Sequence, residues 1–165
     1  MYKHILVPTD GSRLSAKAAR AAATLAKQVG ARLTGLYVIP PYVPPMYGEA
    51  AIYVPEISPK RYRELSEKEA AKALAVVERE ARSAQVACKT AWLTDDQPWQ
   101  GIVKSAKKKK CDLIVMASHG MSGVRALVLG STTNKVLTHA KVPVLVWPVG
   151  QRTTSPHPSY PRVRW

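Results

Sequence analysis

The sequence predicts a Rossmann-like α/β domain, a doubly wound parallel sheet of five strands in the order 3-2-1-4-5 with helices on both faces. Three observations predict it. Short apolar runs alternate with segments of helical periodicity in the pattern β-α-β-α-β-α-β-α-β. The runs are apolar through their middles, as in strands covered on both faces by crossover helices. Five strand units are too few for an eight-unit barrel, and right-handed crossovers then wind the sheet both ways.

Each element follows from local signals. Residues 3–9 form an apolar run of strand length, stopped by Asp10-Gly11-Ser12. Leu14, Ala18, Ala21, Ala22, Leu25, Ala26 and Val29 then recur at helical spacing. Arg13, Lys17, Arg20, Thr24 and Lys27 take the opposite face. Ser12 is placed to cap this helix and Gly30 to end it. Residues 32–39 give a second strand, closed by Pro40-Pro41. Residues 40–59 are proline-rich and aperiodic, a loop long enough to be functional.

A second helix is predicted from Lys60 to Ala84, with Ser58 as cap, Pro59 in the first position, and Ala70, Ala73, Leu74, Val77, Ala81 and Ala84 as its buried stripe. Val86–Leu93 reads as the third strand. Asp95-Asp96 is placed to cap a third helix that turns Trp99, Ile102, Val103 and Ala106 inward and ends in Lys107–Lys110. The fourth strand spans 112–118, and a glycine-containing segment runs from His119 to Gly130. A fourth helix follows from Ser131 to His139, and the fifth strand spans 142–149. The domain is therefore read as residues 1–150, followed by a basic, proline-rich tail over 151–165.

Composition narrows the function. In 165 residues, 46% apolar, a sizeable core can form, and a disordered chain is excluded. No apolar run approaches the roughly 18 residues of a membrane span. The opening Met1–Pro8 lacks a signal peptide's pattern, which predicts a cytoplasmic protein. Cys88 and Cys111 form neither a disulfide framework nor a metal spacing, and read as small hydrophobes. The net charge of +14 favours polyanions. Lys107–Lys110, with no aromatic interleaved, read first as a solvated helix end.

In a doubly wound sheet, ligands sit beyond the strand C-termini where the winding reverses. That places a site between Pro8-Thr9-Asp10-Gly11-Ser12 and Ala117-Ser118-His119-Gly120. There is no GxxxxGK[ST] loop, and no GxGxxG follows the first strand. Instead Gly120 is followed, after nine intervening residues, by Gly130-Ser131 opening a helix. Free amides and the helix dipole there suit an anion, and hydroxyls at Ser131 and Thr132 would add donors. Asp10 has a plainer reading, as a helix cap or a turn acceptor. His119 has no orienting partner in the sequence and reads as a passive loop contact. Ser12, Ser118 and Ser131 lack a base at any diagnostic spacing.

Val7-Pro8-Thr9-Asp10-Gly11-Ser12 resembles the opening of universal stress proteins. Ala117-Ser118-His119-Gly120, then Met121 to Leu129, then Gly130-Ser131, resembles their nucleotide signature, G-x2-G-x9-G-[S/T]. Lys141-Val142-Pro143-Val144-Leu145-Val146 resembles their closing strand. The resemblance covers residues 1–149. It implies a small cytoplasmic stress-response protein, homodimeric, with ATP as ligand and any magnesium arriving with the nucleotide. Asp10 would meet the ribose or adenine side, with Pro8 and Thr9 shaping the pocket and Val38 lining the adenine. Gly120, Gly130, Ser131 and Thr132 would surround the phosphates, with His119 beside them.

Ala117 departs from the signature's first glycine. A left-handed backbone there would cost alanine about 1–2 kcal/mol, whereas a need for space alone would tolerate one methyl. The uncharged fifth strand over 142–149, at a sheet edge, is the expected dimer contact. Two other readings stay open: a slow ATPase using the same pocket, and, more weakly, a basic nucleic-acid-associated protein. Tyr42, Tyr47 and Tyr53 in the proline-rich loop read as a possible cover for a ligand.

Overall fold

A computed structural model of the chain describes residues 1–44, 58–120 and 129–148. The predicted tail, Tyr47, Tyr53, Val149 and most of the segment after Gly120 lie outside the described residues. The elements are β1 (His4–Pro8), α1 (Arg13–Val29), β2 (Arg32–Ile39), α2 (Pro59–Ser83), β3 (Cys88–Thr94), α3 (Pro98–Lys108), β4 (Leu113–Ala117), α4 (Ser131–His139) and β5 (Val144–Trp147). They form one parallel sheet in the order β3-β2-β1-β4-β5, as the sequence predicts.

β1 and β4 are buried at every position, which is why residues 5–8 and 113–117 read as unbroken apolar runs. Two core clusters flank them. Ile5, Val7, Leu33 and Val115 pack under α1 and α2 against Ala19, Ala22, Ala26, Val77 and Ala81. Leu6, Leu36, Ile114 and Met116 pack on the other face against Ile102, Ala106 and Val136. The odd and even positions of β1 thus feed opposite layers. The α1 face is turned slightly from the predicted stripe. Ala19 and Ala23 are buried and Ala21 is only half-buried, because small alanines let the helix lie close to the sheet along a broader strip.

Helix ends follow their caps. The Ser12 hydroxyl accepts from Ser15 N–H at 3.1 Å, and Ser58 does the same for Arg61 at 3.2 Å. Gly30 closes α1 at φ 69°, a left-handed position that glycine takes at no steric cost. The reading of Asp95-Asp96 as a cap of α3 needs correction. Gln97 is the N-cap residue and makes no side-chain cap bond. Asp95 instead folds the preceding turn, accepting from Gln97 N–H at 3.0 Å and from Lys104 Nζ at 3.1 Å.

Two strand limits also move. Val86 N–H bonds to Ala81 O and completes the end of α2, so β3 begins at Cys88. Pro143 and Pro148 lack the N–H a ladder needs, and β5 is confined between them. Cys111 is buried and Cys88 half-buried, both as free thiols. Burial pushes the Cys111 thiol up to about 11, so it stays protonated and unreactive near neutral pH.

Candidate functional site

A cleft of about 680 Å³ opens between the C-terminal ends of β1 and β4, at the reversal of winding. Pro8, Thr9, Asp10, Val38, Ala117, His119, Gly120, Gly130, Ser131 and Thr132 all line it, so the structure brings every sequence-predicted site residue into one wall or another.

The β1–α1 turn is held from within. Gly11 N–H donates to Thr9 Oγ1 at 3.2 Å, Thr9 and Ser15 share a hydroxyl bond at 3.0 Å, and Ser15 Oγ donates to Ser12 O at 2.9 Å. Because Ser15 spends its proton on Ser12, the Thr9 hydroxyl is the donor in the shared bond. Thr9, itself buried, therefore shapes the pocket by fixing the turn. Asp10 Oδ1 accepts Ser12 N–H at 3.0 Å, the turn-acceptor role, while the helix cap belongs to Ser12. A Cβ built on Gly120 would stand 2.6 Å from Asp10 Oδ2. The backbone after β4 thus lies directly against the carboxylate, and a side chain at Gly120 would have to push the carboxylate aside.

The opposite wall is the start of α4. Gly130 N–H donates to Ser118 O at 2.9 Å, and a Cβ on Gly130 would press to 3.2 Å from that same oxygen. Asn134 N–H makes the first helical bond, to Gly130 O. The amides of Ser131, Thr132 and Thr133 precede it, and the N-cap residue, Gly130, has no side chain to cap them. These are the donors a helix start offers to an anion, with the dipole adding positive potential. The Thr133 hydroxyl is buried and bonds Ala117 O at 3.0 Å, locking α4 to β4.

Ala117 is the last residue of β4, paired with Trp147 in the ladder. Its backbone is not left-handed. The alanine therefore carries no backbone penalty and adds one methyl to the cleft wall. His119 Nδ1 lies 3.1 Å from Ser118 Oγ, a neighbour in sequence that orients the ring.

The cleft's apolar floor was not singled out from sequence. Leu36, Ile102 and Met116 belong to the core stripe of their elements and continue upward into the cleft, joined by Pro40 and Pro98 at its mouth. Their signal was present but identical to that of core residues. Tyr37 also lines the cleft, and burial first, then the carboxylates Glu69 and Asp10, push its phenol above the ordinary range. Of the three loop tyrosines, Tyr42 is among the described residues. Its ring packs on Tyr62 at 5.4 Å, and Tyr62 Oη donates to Pro40 O, tying the end of β2 to α2 beside the cleft.

A parallel doubly wound sheet with a switch-point cleft, walled by an acidic turn and the start of a helix, defines the class of Rossmann-like α/β proteins. Within it the family is specific: the universal stress protein family model matches residues 1–148, and the chain belongs to that family. A universal stress protein of Methanocaldococcus jannaschii is 38% identical over 146 residues, covering 88% of this chain and 82% of that one. Universal stress protein YxiE of Bacillus subtilis is 36% identical over 147 residues, covering 88% and 99%. The structure of universal stress protein UspA from Lactobacillus plantarum superposes with a TM-score of 0.68 at 30% identity, covering 88% and 97%. Two more distant structures share the fold. One is an Arabidopsis thaliana family protein with AMP bound (TM-score 0.61, 17% identity, 90% and 92% covered). The other is an Archaeoglobus fulgidus protein in complex with dAMP (0.59, 19%, 88% and 97%).

Proposed function

We propose that this chain is a cytoplasmic regulatory module of the stress response that binds ATP in the switch-point cleft. The observation that carries the reading is the facing pair of walls: the helix-start amides of Ser131, Thr132 and Thr133 on one side, and the Asp10 turn packed on Gly120 on the other. The residues fit a nucleotide. Glycines stand at both points where a side chain would crowd the cradle, and an apolar floor of Val38, Ile102 and Met116 suits a flat base. Adenine nucleotides in two members of the fold support the same choice.

In this reading the α4 amides and the Ser131 and Thr132 hydroxyls hold the phosphates, Asp10 faces the ribose or adenine side, and Val38 backs the base. His119 is a passive contact, and magnesium comes with the nucleotide. Bound ATP supplies the polyphosphate charge that a regulatory state reads, and this chain's residues bind and orient it. The module works as a homodimer joined through β5.

Calorimetric titration of nucleotide-free protein with ATP and magnesium tests the reading. Wild type gives one-site heat. Ser131→Ala weakens binding by about 1 kcal/mol, roughly fivefold. Gly130→Val abolishes it, because a side chain there must enter the cleft or displace the Ser118–His119 backbone. Folded wild type that gives no heat at about millimolar ATP, a binding free energy near −4 kcal/mol, overturns it.

A further inference from the structure

We propose that the end of the sheet opposite the cleft is a face for duplex nucleic acid, gripping the phosphate backbone without reading bases. Strand N-termini and helix C-termini share that end of a parallel α/β sheet, and several elements deliver cations to it. α3 runs out into Lys107–Lys110, and Lys27 and Arg82 lie in the last turns of α1 and α2. At the strand starts, Lys3 precedes β1, Arg32 opens β2 and Lys141 leads into β5. All are exposed except Lys109, which is half-buried. The strand starts are tied together: Arg32 N–H donates to Lys3 O at 3.0 Å and Asp112 N–H to His4 O at 2.9 Å.

The ordinary reason for basic residues at helix ends does not account for this many. A helix C-terminus carries about −0.5 of a charge, so four of them balance roughly two cations. The one acid among the described strand starts, Asp112, is occupied by backbone. Its oxygens accept Lys3 N–H at 2.7 Å and His4 N–H at 3.0 Å. Glu80, in the last turn of α2, is paired with Arg20 and Arg79, so among the described residues most of this positive charge faces outward without an acidic partner. Lys110 sharpens the point. It sits at φ 55°, just past the end of α3, where glycine is the usual occupant. A lysine is held there against its backbone preference.

The shape and the neighbours favour a duplex. Five strands at about 4.8 Å make a face roughly 19 Å across. A duplex presents about one phosphate charge per 1.7 Å of axis, so several lie over that face at once. Stacking on single strands needs exposed rings, and the exposed tryptophans Trp92 and Trp147 lie in the C-terminal halves of their edge strands, away from this end. A bilayer-binding face needs a band of apolar groups to insert; among the described residues the exposed large apolar side chains towards this end, Met1, Leu137 and Leu145, lie on three separate segments.

The test is fluorescence anisotropy of a labelled random-sequence DNA duplex with the full chain, titrated from about 50 to 200 mM salt. Wild type should bind at low salt and weaken steeply. Replacing Lys107, Lys108, Lys109 and Lys110 with glutamine should cut low-salt affinity by about tenfold or more and lower the log–log salt slope by roughly three. The pair Lys27→Gln and Lys141→Gln, on other elements, should lower the slope by about one to two, which keeps the test open if the first variant fails to fold. Replacing Lys60, Arg63, Lys68 and Lys72 on α2 removes the same formal charge elsewhere, and should change affinity less than about threefold if location decides. Failure of wild type to bind, equal losses in the two fourfold variants, or binding to phosphatidylserine vesicles at salt where DNA does not bind would overturn the proposal.

Discussion

His4 shows how one buried residue sets a pH limit on the fold. Its Nδ1 lies 3.2 Å from Arg32 Nη2, which can only donate, so Nδ1 accepts and the ring is neutral. The proton is then on Nε2, which donates to Thr34 Oγ1 at 2.8 Å. Burial first, and then Arg32, hold its pKa below 6.5; Lys109 and Asp112 also face it, with partly opposing effects. The unfolded chain therefore binds this proton at a higher pH than the folded one. Stability is fully present above 6.5 and declines as pH falls below it towards the folded value. Urea midpoints measured at pH 7.5 and 5.5 should show the decline, and His4→Phe should reduce it. An equal decline in both proteins would assign it to other groups.

At the scale of elements, the sequence was legible at most local signals, the cap of α3 excepted. Ser12, Ser58, Pro59 and Gly30 announced helix ends that the structure reproduces. It was less legible where tertiary hydrogen bonding decides. Val86 alternates as a strand residue does, but its N–H is captured by Ala81, and nothing local distinguishes the two fates. In the cleft, motif residues were recognisable because glycine and acid stand out, whereas Ile102 and Met116 are apolar residues on core stripes that happen to reach the end of the sheet. Gly35 is a further case. α2 crosses β2 there so closely that a Cβ would lie 3.2 Å from Val77 Cγ1 and 3.3 Å from Thr90 Cγ2. Both neighbours are β-branched and stiff. Gly35→Ala should destabilise the fold by about 1–3 kcal/mol, measured by chemical denaturation. An unchanged midpoint would mean that α2 can lift off the sheet at little cost.

For the whole molecule, the two edges of the sheet differ. β3 carries Lys89, a charge that discourages pairing with another strand, while β5 carries none over Val144–Trp147. Leu145 and Trp147 are 38% and 37% exposed, and Val144 packs towards the α3–α4 core. The structure thus points to Leu145 as the position to test the proposed dimer. Leu145→Lys should give monomers in light scattering and leave the fold intact, since the side chain already faces outward. A wild type that is itself monomeric at high concentration would refute the contact. Net charge foretold none of this, since it bears on what the surface attracts and not on how strands pair.

The bond from Gly130 N–H to Ser118 O has a consequence for how the chain tolerates change. It ties β4's exit to α4's entry, and the Thr133 hydroxyl on Ala117 O adds a second knot one turn away. Both bonds hold the helix start that the cleft depends on, so a change at Gly130 or Thr133 disturbs the cleft more than its size suggests.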